Sequence, residues 1–267
     1  KTALFPLHAW LPPAHASAPA PASALLSGLV VKASFYILVR LWLEVLPAAV
    51  PGPALTLIGG LGASAVLWGS ALALMQRNLK LLIAYSTVAQ LGYLFIMFPL
   101  LTDGAGPASG EWHAAAWAGG IYQALSHACA KSAMFLAAGC MIYAAGDDAL
   151  EALDGIGHRL PLSFTAFGLG GLSMAGLPPS GGFVAKWLLL TAALEAGRWA
   201  WAAIIAAGGL LAAAYVYHVL RHAFGRAEEE FRLKPVPRRM ELAALALALV
   251  AVVLGVAATG PLELLGV

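Results

Sequence analysis

Three lysines occupy positions where a lysine is costly. Lys32, Lys131 and Lys186 each lie inside a long apolar run of the sequence, and a charged side chain at bilayer depth marks a functional site by default. Lys32 comes ten residues into its run, and Lys131 has His127 four residues before it. In a helix that spacing puts both side chains on one face. Lys186 follows a break in its run made by Gly176, Pro178, Pro179, Gly181 and Gly182. Irregular backbone at membrane depth is tolerated only where protein or a watery cavity surrounds it. Burial disfavours the charged form of an amine, so a buried lysine can exchange a proton near neutral pH. The chemistry expected of such a row is proton transfer along the membrane midplane, helped by histidine and water. A single lysine of this kind could instead snorkel to an interface; three in separate segments favour a relay.

The other polar residues are weaker candidates. Lys1 opens the chain five residues before Pro6. His8 and His15 sit in a proline-rich connector, 6–15, and are placed at a membrane surface rather than in an ion path. His113, His218 and His222 fall near the ends of apolar runs, where an interfacial position is favoured. Trp10, Trp42, Trp112, Trp117, Trp187, Trp199 and Trp201 mostly flank those runs, as an aromatic belt does. Cys129 and Cys140 lie in one apolar run, about 16 Å apart if it is helical, too far to bridge. The sequence carries no metal-ligand cluster, nucleophile elbow, redox-cofactor motif or nucleotide-binding glycine loop. No metal, cofactor or nucleic-acid partner is expected, and any redox chemistry belongs to another protein.

These residues need apolar helices to position them. The chain is 61 % hydrophobic and 10 % charged over 267 residues, where soluble domains carry about 25 % charged residues. A polytopic, all-α membrane bundle is the fold expected. Spanning windows fall near 22–46, 55–75, 81–101, 113–143, 162–194, 200–220 and 242–262. The fourth and fifth are long enough to be tilted, broken or preceded by a surface helix, and the fifth contains the break. Residues 1–15 look like the end of an earlier span, giving seven complete spans and a partial one. The chain starts with neither an initiator Met nor a signal-peptide pattern, and reads as a fragment lacking its upstream half, with 1–267 as one transmembrane transporter domain.

Orientation follows from the loop charges. One side receives Arg77, Lys80, Arg159, Arg221, Arg226, Arg232, Lys234, Arg238 and Arg239, against Arg40 and Arg198 on the other. The basic side is expected in the cytoplasm and the C-terminus outside. The 146–160 connector is acidic and reads as solvated, as does 221–240 with its Glu228–Glu230 run.

Five ordered stretches carry a family resemblance. They are 1–12 (Lys-Thr-Ala-Leu-Phe-Pro-Leu-His-Ala-Trp-Leu-Pro), 18–32 ending in Lys32, and 78–93 (Asn-Leu-Lys-Leu-Leu-Ile-Ala-Tyr-Ser-Thr-Val-Ala-Gln-Leu-Gly-Tyr). The last two are 126–136 (Ser-His-Ala-Cys-Ala-Lys-Ser-Ala-Met-Phe-Leu) and 176–186 (Gly-Leu-Pro-Pro-Ser-Gly-Gly-Phe-Val-Ala-Lys). Over about residues 1–225 the chain resembles the antiporter-like proton-translocating membrane subunits shared by respiratory complex I, membrane-bound hydrogenases and Mrp-type sodium/proton antiporters.

The resemblance implies a core of fourteen helices with two broken ones in inverted halves, of which this chain holds the second half. It implies Lys1 as the key lysine of the first broken helix, Lys32 and Lys131 as central relay positions, His127 as a connecting histidine and Lys186 as the terminal lysine. A lysine at 186 matches the D-type members of Mrp antiporters and several complex I subunits rather than members with glutamate. Where many members have Leu-Pro-Asp-Ala, this chain has Leu11-Pro12-Pro13-Ala14, so no acidic role is carried over there. The implied function is translocation of a cation, the proton first and Na⁺ left open, by a subunit without its own redox site. Its partners would be other membrane subunits and the lipid bilayer of the cell's inner membrane. The alternative from another class is a stand-alone secondary transporter that binds a small solute at its broken helix.

Overall fold

The computed structural model describes residues 1–45, 52–102, 111–225 and 233–266. The glutamate run and most of the 102–112 loop lie outside the described residues. Among the described residues, six helices are long and apolar enough to cross a membrane. The first crossing, Ala20–Trp42, is built from α2 (Ala20–Leu25), a π turn at Leu26–Val30, and α3 (Val31–Val39), preceded by short α1 (Leu11–Ser17). Then come α4 (Gly52–Leu74), α5 (Leu79–Leu100) and α6 (Glu111–Ala145). After a one-turn helix, α7 (Ile156–Arg159), the fifth crossing is split into α8 (Pro161–Ala175) and α9 (Gly181–Glu195). The chain closes with α10 (Trp199–Ala223), α11 (Arg238–Val256) and short α12 (Thr259–Glu263). Seven crossings with a discontinuous fifth agree with the sequence reading, and the protein is a multi-pass helical membrane protein.

The two long windows resolve differently. The fourth is one continuous 35-residue helix, about 52 Å long at 1.5 Å per residue. It therefore exceeds a hydrocarbon core of about 30 Å and must tilt or protrude. The fifth breaks where its glycines and prolines predict. Gly176 ends α8 at φ +76°, the left-handed cap glycine favours. Ser180 restarts the chain as the N-cap of α9, accepting the Phe183 N–H at 3.3 Å. Gly182 lies so close to α8 that an added Cβ would meet Ser173 Oγ at 2.8 Å. Gly182→Ala is therefore expected to force the two half-helices apart, at a cost of about 1–3 kcal/mol. Thermal unfolding in detergent should show a lowered Tm; an unchanged midpoint would mean the close approach is relaxed.

The bundle is arranged around α5, of which 89 % of the spanning window is buried inside the protein against 22 % for α11. α4 packs along one side of α5 and α6 along another. Leu57, Trp68, Leu210, Tyr217 and Val253 point outward, each more than half exposed, as lipid-facing residues do.

Three local features depart from the sequence reading. The first crossing is not a regular helix, because the π turn widens it immediately before α3. The last crossing, α11, stops at Val256 rather than near 262, and α12 follows as a separate short helix. The 146–160 connector is not simply solvated, although Asp147 and Glu151 are exposed. Leu150, Leu153 and Ile156 recur every three residues and are all buried. Backbone bonds pin it at both ends: Leu79 N–H donates to Asp148 O at 2.8 Å, Leu150 N–H to Arg77 O at 2.7 Å, and Gly155 N–H to His222 O at 3.1 Å. Lys80 of the 78–93 stretch is likewise structural, donating to the Ala16 and Ala18 carbonyls at 2.8 and 2.6 Å and so capping the end of α1.

Candidate functional site

Lys131, midway along α6, is fully buried. Its ammonium donates to the Ile83 carbonyl at 3.0 Å and to Ser86 Oγ, both on α5. Lys32 donates to the Ser27 carbonyl inside the π turn; a widened turn leaves such a carbonyl open to a side chain. Lys186, 6 % exposed, donates to the Met174 carbonyl and sits 4.6 Å from the centre of the Tyr93 ring. Met174 belongs to the last turn of α8, where carbonyls lack helical partners and the dipole is negative. Breaking the helix at Gly176 thus creates the acceptor that holds the lysine. A cavity of about 220 Å³ reaches Lys186 beside Gly176 and Trp187.

Neutral polar side chains join these lysines through α5. Ser27 Oγ lies 3.3 Å from Thr87 Oγ1, and Thr87 donates to the Ile83 carbonyl at 2.9 Å, the same oxygen that Lys131 bonds. Ser86, on the other side of Lys131, lies beside the Tyr215 hydroxyl. Gln90 Nε2 donates to Tyr215 OH at 3.0 Å and to the Met174 carbonyl at 3.1 Å, which returns to Lys186. Gln123 on α6 fixes the amide by donating to Gln90 Oε1 at 3.0 Å. A buried polar seam therefore runs from Lys32 through Lys131 to Lys186. His127 is within electrostatic reach of all three lysines. Neither of its ring nitrogens has a hydrogen-bond partner among the described residues.

Sequence reasoning singled out the lysines and His127 but not Ser86, Thr87, Gln90 or Tyr215. The signal was present, since Ser86, Gln90 and Tyr93 recur at helical spacing inside an apolar helix. His15 is also misplaced by that reasoning. It is fully buried and stacked on Phe135 at 4.5 Å, one turn beyond Lys131, and His8 is 9 % exposed. His15 is inside the protein because α1 turns inward across α5, and His8 is stacked on Phe5 at 5.4 Å. Lys1 is exposed; its neighbour Thr2 donates to Ser34 at 3.0 Å, so the first residues lie against α3 close to Lys32. Among the described residues no group of three or more His, Cys, Asp or Glu side chains could hold a metal, and both cysteines are free.

The fold and the site define a multi-pass helical bundle with a broken crossing, in which lysines of α3, α6 and α9 are joined through polar side chains of α5. The family model for the NADH:quinone oxidoreductase/Mrp antiporter transmembrane region matches residues 1–212, and the chain belongs to that family. It is 37 % identical over 225 residues to NADH-quinone oxidoreductase subunit N of Desulforudis audaxviator (strain MP104C), covering 84 % of this chain and 43 % of that protein. Formate hydrogenlyase subunit 3 of Escherichia coli (strain K12) is 32 % identical over 279 residues, covering 98 % of this chain and 45 % of that protein. The chain thus spans less than half the length of these curated relatives. Its fold matches a chain of the Mrp complex from Dietzia sp. DQ12-45-1b with TM-score 0.87 at 24 % identity, over 100 % of this chain and 56 % of that one. Respiratory complex I from Thermus thermophilus supplies a chain with TM-score 0.76 at 28 % identity, over 98 % of this chain and 55 % of that one.

Proposed function

We propose that this chain moves protons across the membrane as one subunit of a larger membrane complex, driven by a partner redox module or an opposing ion gradient. The observation that carries the proposal is the buried seam joining Lys32, Lys131 and Lys186 through α5. Lys32 and Lys131 pass protons along the midplane, His127 connects them, and Lys186 exchanges with the outer side. Lys1 takes the upstream end of the row, beside α3. His15, next to Lys131, is a further member, since a buried imidazole with no hydrogen-bond partner among the described residues bonds readily to water or an arriving proton. The ionisable groups of the seam, among the described residues, are the lysine amines, the imidazoles and the Tyr215 phenol. These groups bind and release protons, so the proton is the cation this reading assigns to the seam.

The basic end, with Arg77 and Arg221, faces the cytoplasm in this reading, and the C-terminus faces out. Residues 1–267 act as one proton-conducting unit in this reading.

Gln90 tests the seam. Its amide links Tyr215, beside the Lys131 site, to the Met174 carbonyl that holds Lys186. In Gln90→Leu, proton translocation by the full-length protein in proteoliposomes is expected to slow about tenfold, within the range a proton-transfer group contributes. Subunit assembly should persist, although losing a buried bonded amide costs about 1–3 kcal/mol. A normal rate would mean that protons do not follow α5.

A further inference from the structure

A second polar site lies away from the lysines. A cavity of about 380 Å³ opens at the basic end of the bundle, where α4 and α10 finish. Its polar wall is Gln76, Arg77, Glu151, His218, Arg221 and His222, none of which the relay uses. The 146–160 connector forms one side and is fixed there by its bonds to Arg77 and His222. His222 Nδ1 lies 2.7 Å from Asp154 Oδ1, and the His218 ring lies within reach of the Gln76 backbone. Both imidazoles are half-buried in the wall, oriented by these contacts.

The position of His218 on α10 gives the cavity a direction. Tyr215, His218 and His222 are spaced three and four residues apart, so they share one face of the helix. His222 is in the last turn, His218 in the cavity wall, and Tyr215 one turn deeper and fully buried. Tyr215 is already part of the seam, bonded to Gln90 and beside Ser86. From His218 to Tyr215 the rise along α10 is about 4.5 Å. Val216 and Val219 of α10 join Leu79 and Leu82 of α5 in the buried apolar cluster that holds Tyr215. A wet cavity therefore ends on a dry layer one turn thick, with the lysine seam behind it.

We propose that this cavity is the proton-uptake mouth of the chain, with His218 taking the proton from cytoplasmic water and passing it past Tyr215 to Lys131. The inference rests on the relay reading above and its orientation. His218 gives one ring N–H to the Gln76 carbonyl and accepts the incoming proton on its other nitrogen. The imidazolium then gives a proton to water crossing the apolar layer around Val216, the neutral amine of Lys131 receives it, and His218 returns to the neutral ring. The charges facing His218 are balanced, with Arg77 and Arg221 opposed by Glu151 and by Asp154 behind His222. An anionic ligand is disfavoured in the same place, because it would meet both carboxylates and the carbonyl ends of α4 and α10. Neutralising those helix ends accounts for Arg221 and His222 but gives His218 no task.

The test is His218→Gln in the full-length protein within its complex, in proteoliposomes. Glutamine keeps an N–H for the Gln76 carbonyl but binds no proton. The initial translocation rate is expected to fall about tenfold, and millimolar imidazole on the cavity side should restore part of it, whereas imidazole on the opposite side should not. A wild-type rate in His218→Gln overturns the mouth, and so does a slow rate that imidazole rescues from neither side. Lys131→Ala separates the two readings. If it still translocates protons, the relay is wrong; if it is inactive while His218→Gln is normal, the mouth alone is wrong.

Discussion

Replacing Lys186 by alanine in the full-length protein should abolish proton translocation while the complex still assembles. Lys186 is held by the Met174 carbonyl at the end of α8 and faces Tyr93, and it borders a cavity beside Gly176. Alanine removes the amine but keeps α9 helical, since alanine is the best helix former. The freed carbonyl still accepts from Gln90 at 3.1 Å, so the break need not collapse. The expected loss is about a hundredfold or more, in keeping with removal of an essential proton-transfer group. Proton flux in proteoliposomes, with subunit content checked after purification, makes the measurement. Unchanged flux would remove Lys186 from the path and leave the break as packing only.

Lys131→Ala is expected to be equally severe. Lys131 lies at the centre of the seam, between the Ile83 carbonyl and Ser86, and feels both Lys32 and Lys186. Removing it parts the seam into two segments. The protein should remain folded, because a buried amine is replaced by a small apolar side chain and Ser86 keeps its bond to Ile83 at 2.9 Å. Loss of complex assembly together with flux would instead assign Lys131 a structural role.

Much of this arrangement was legible in the sequence, for reasons that differ between residues. The crossings follow from apolar length, and the break follows from Gly176, Pro178 and Pro179, which leave a helix few options. Lys32, Lys131 and Lys186 stand out because a charge in an apolar run has no cheap alternative. Ser86, Thr87 and Gln90 do not stand out in that way. A hydroxyl can satisfy itself on its own helix, as Thr87 does on Ile83, so its presence in an apolar helix implies nothing about a path. His15 was hidden for another reason. Its segment is short and proline-rich, without the periodicity that shows which face is inward, and its burial depends on α1 packing against α5 and on Phe135 of α6. The connector at 146–160 likewise shows its charges in the sequence, whereas its docking depends on where α4 and α10 end.

The central claim is that Lys131 works by losing and regaining a proton, which Lys131→Arg tests most directly. Arginine keeps the positive charge and the donors but does not release a proton in a protein. Proton uptake and release after a pH jump, followed in proteoliposomes with the full-length protein in its complex, is the measurement. The relay predicts that Lys131→Arg assembles normally and moves protons no faster than Lys131→Ala. Wild-type uptake in Lys131→Arg would contradict it and show that the charge of Lys131, rather than its titration, is what the protein uses.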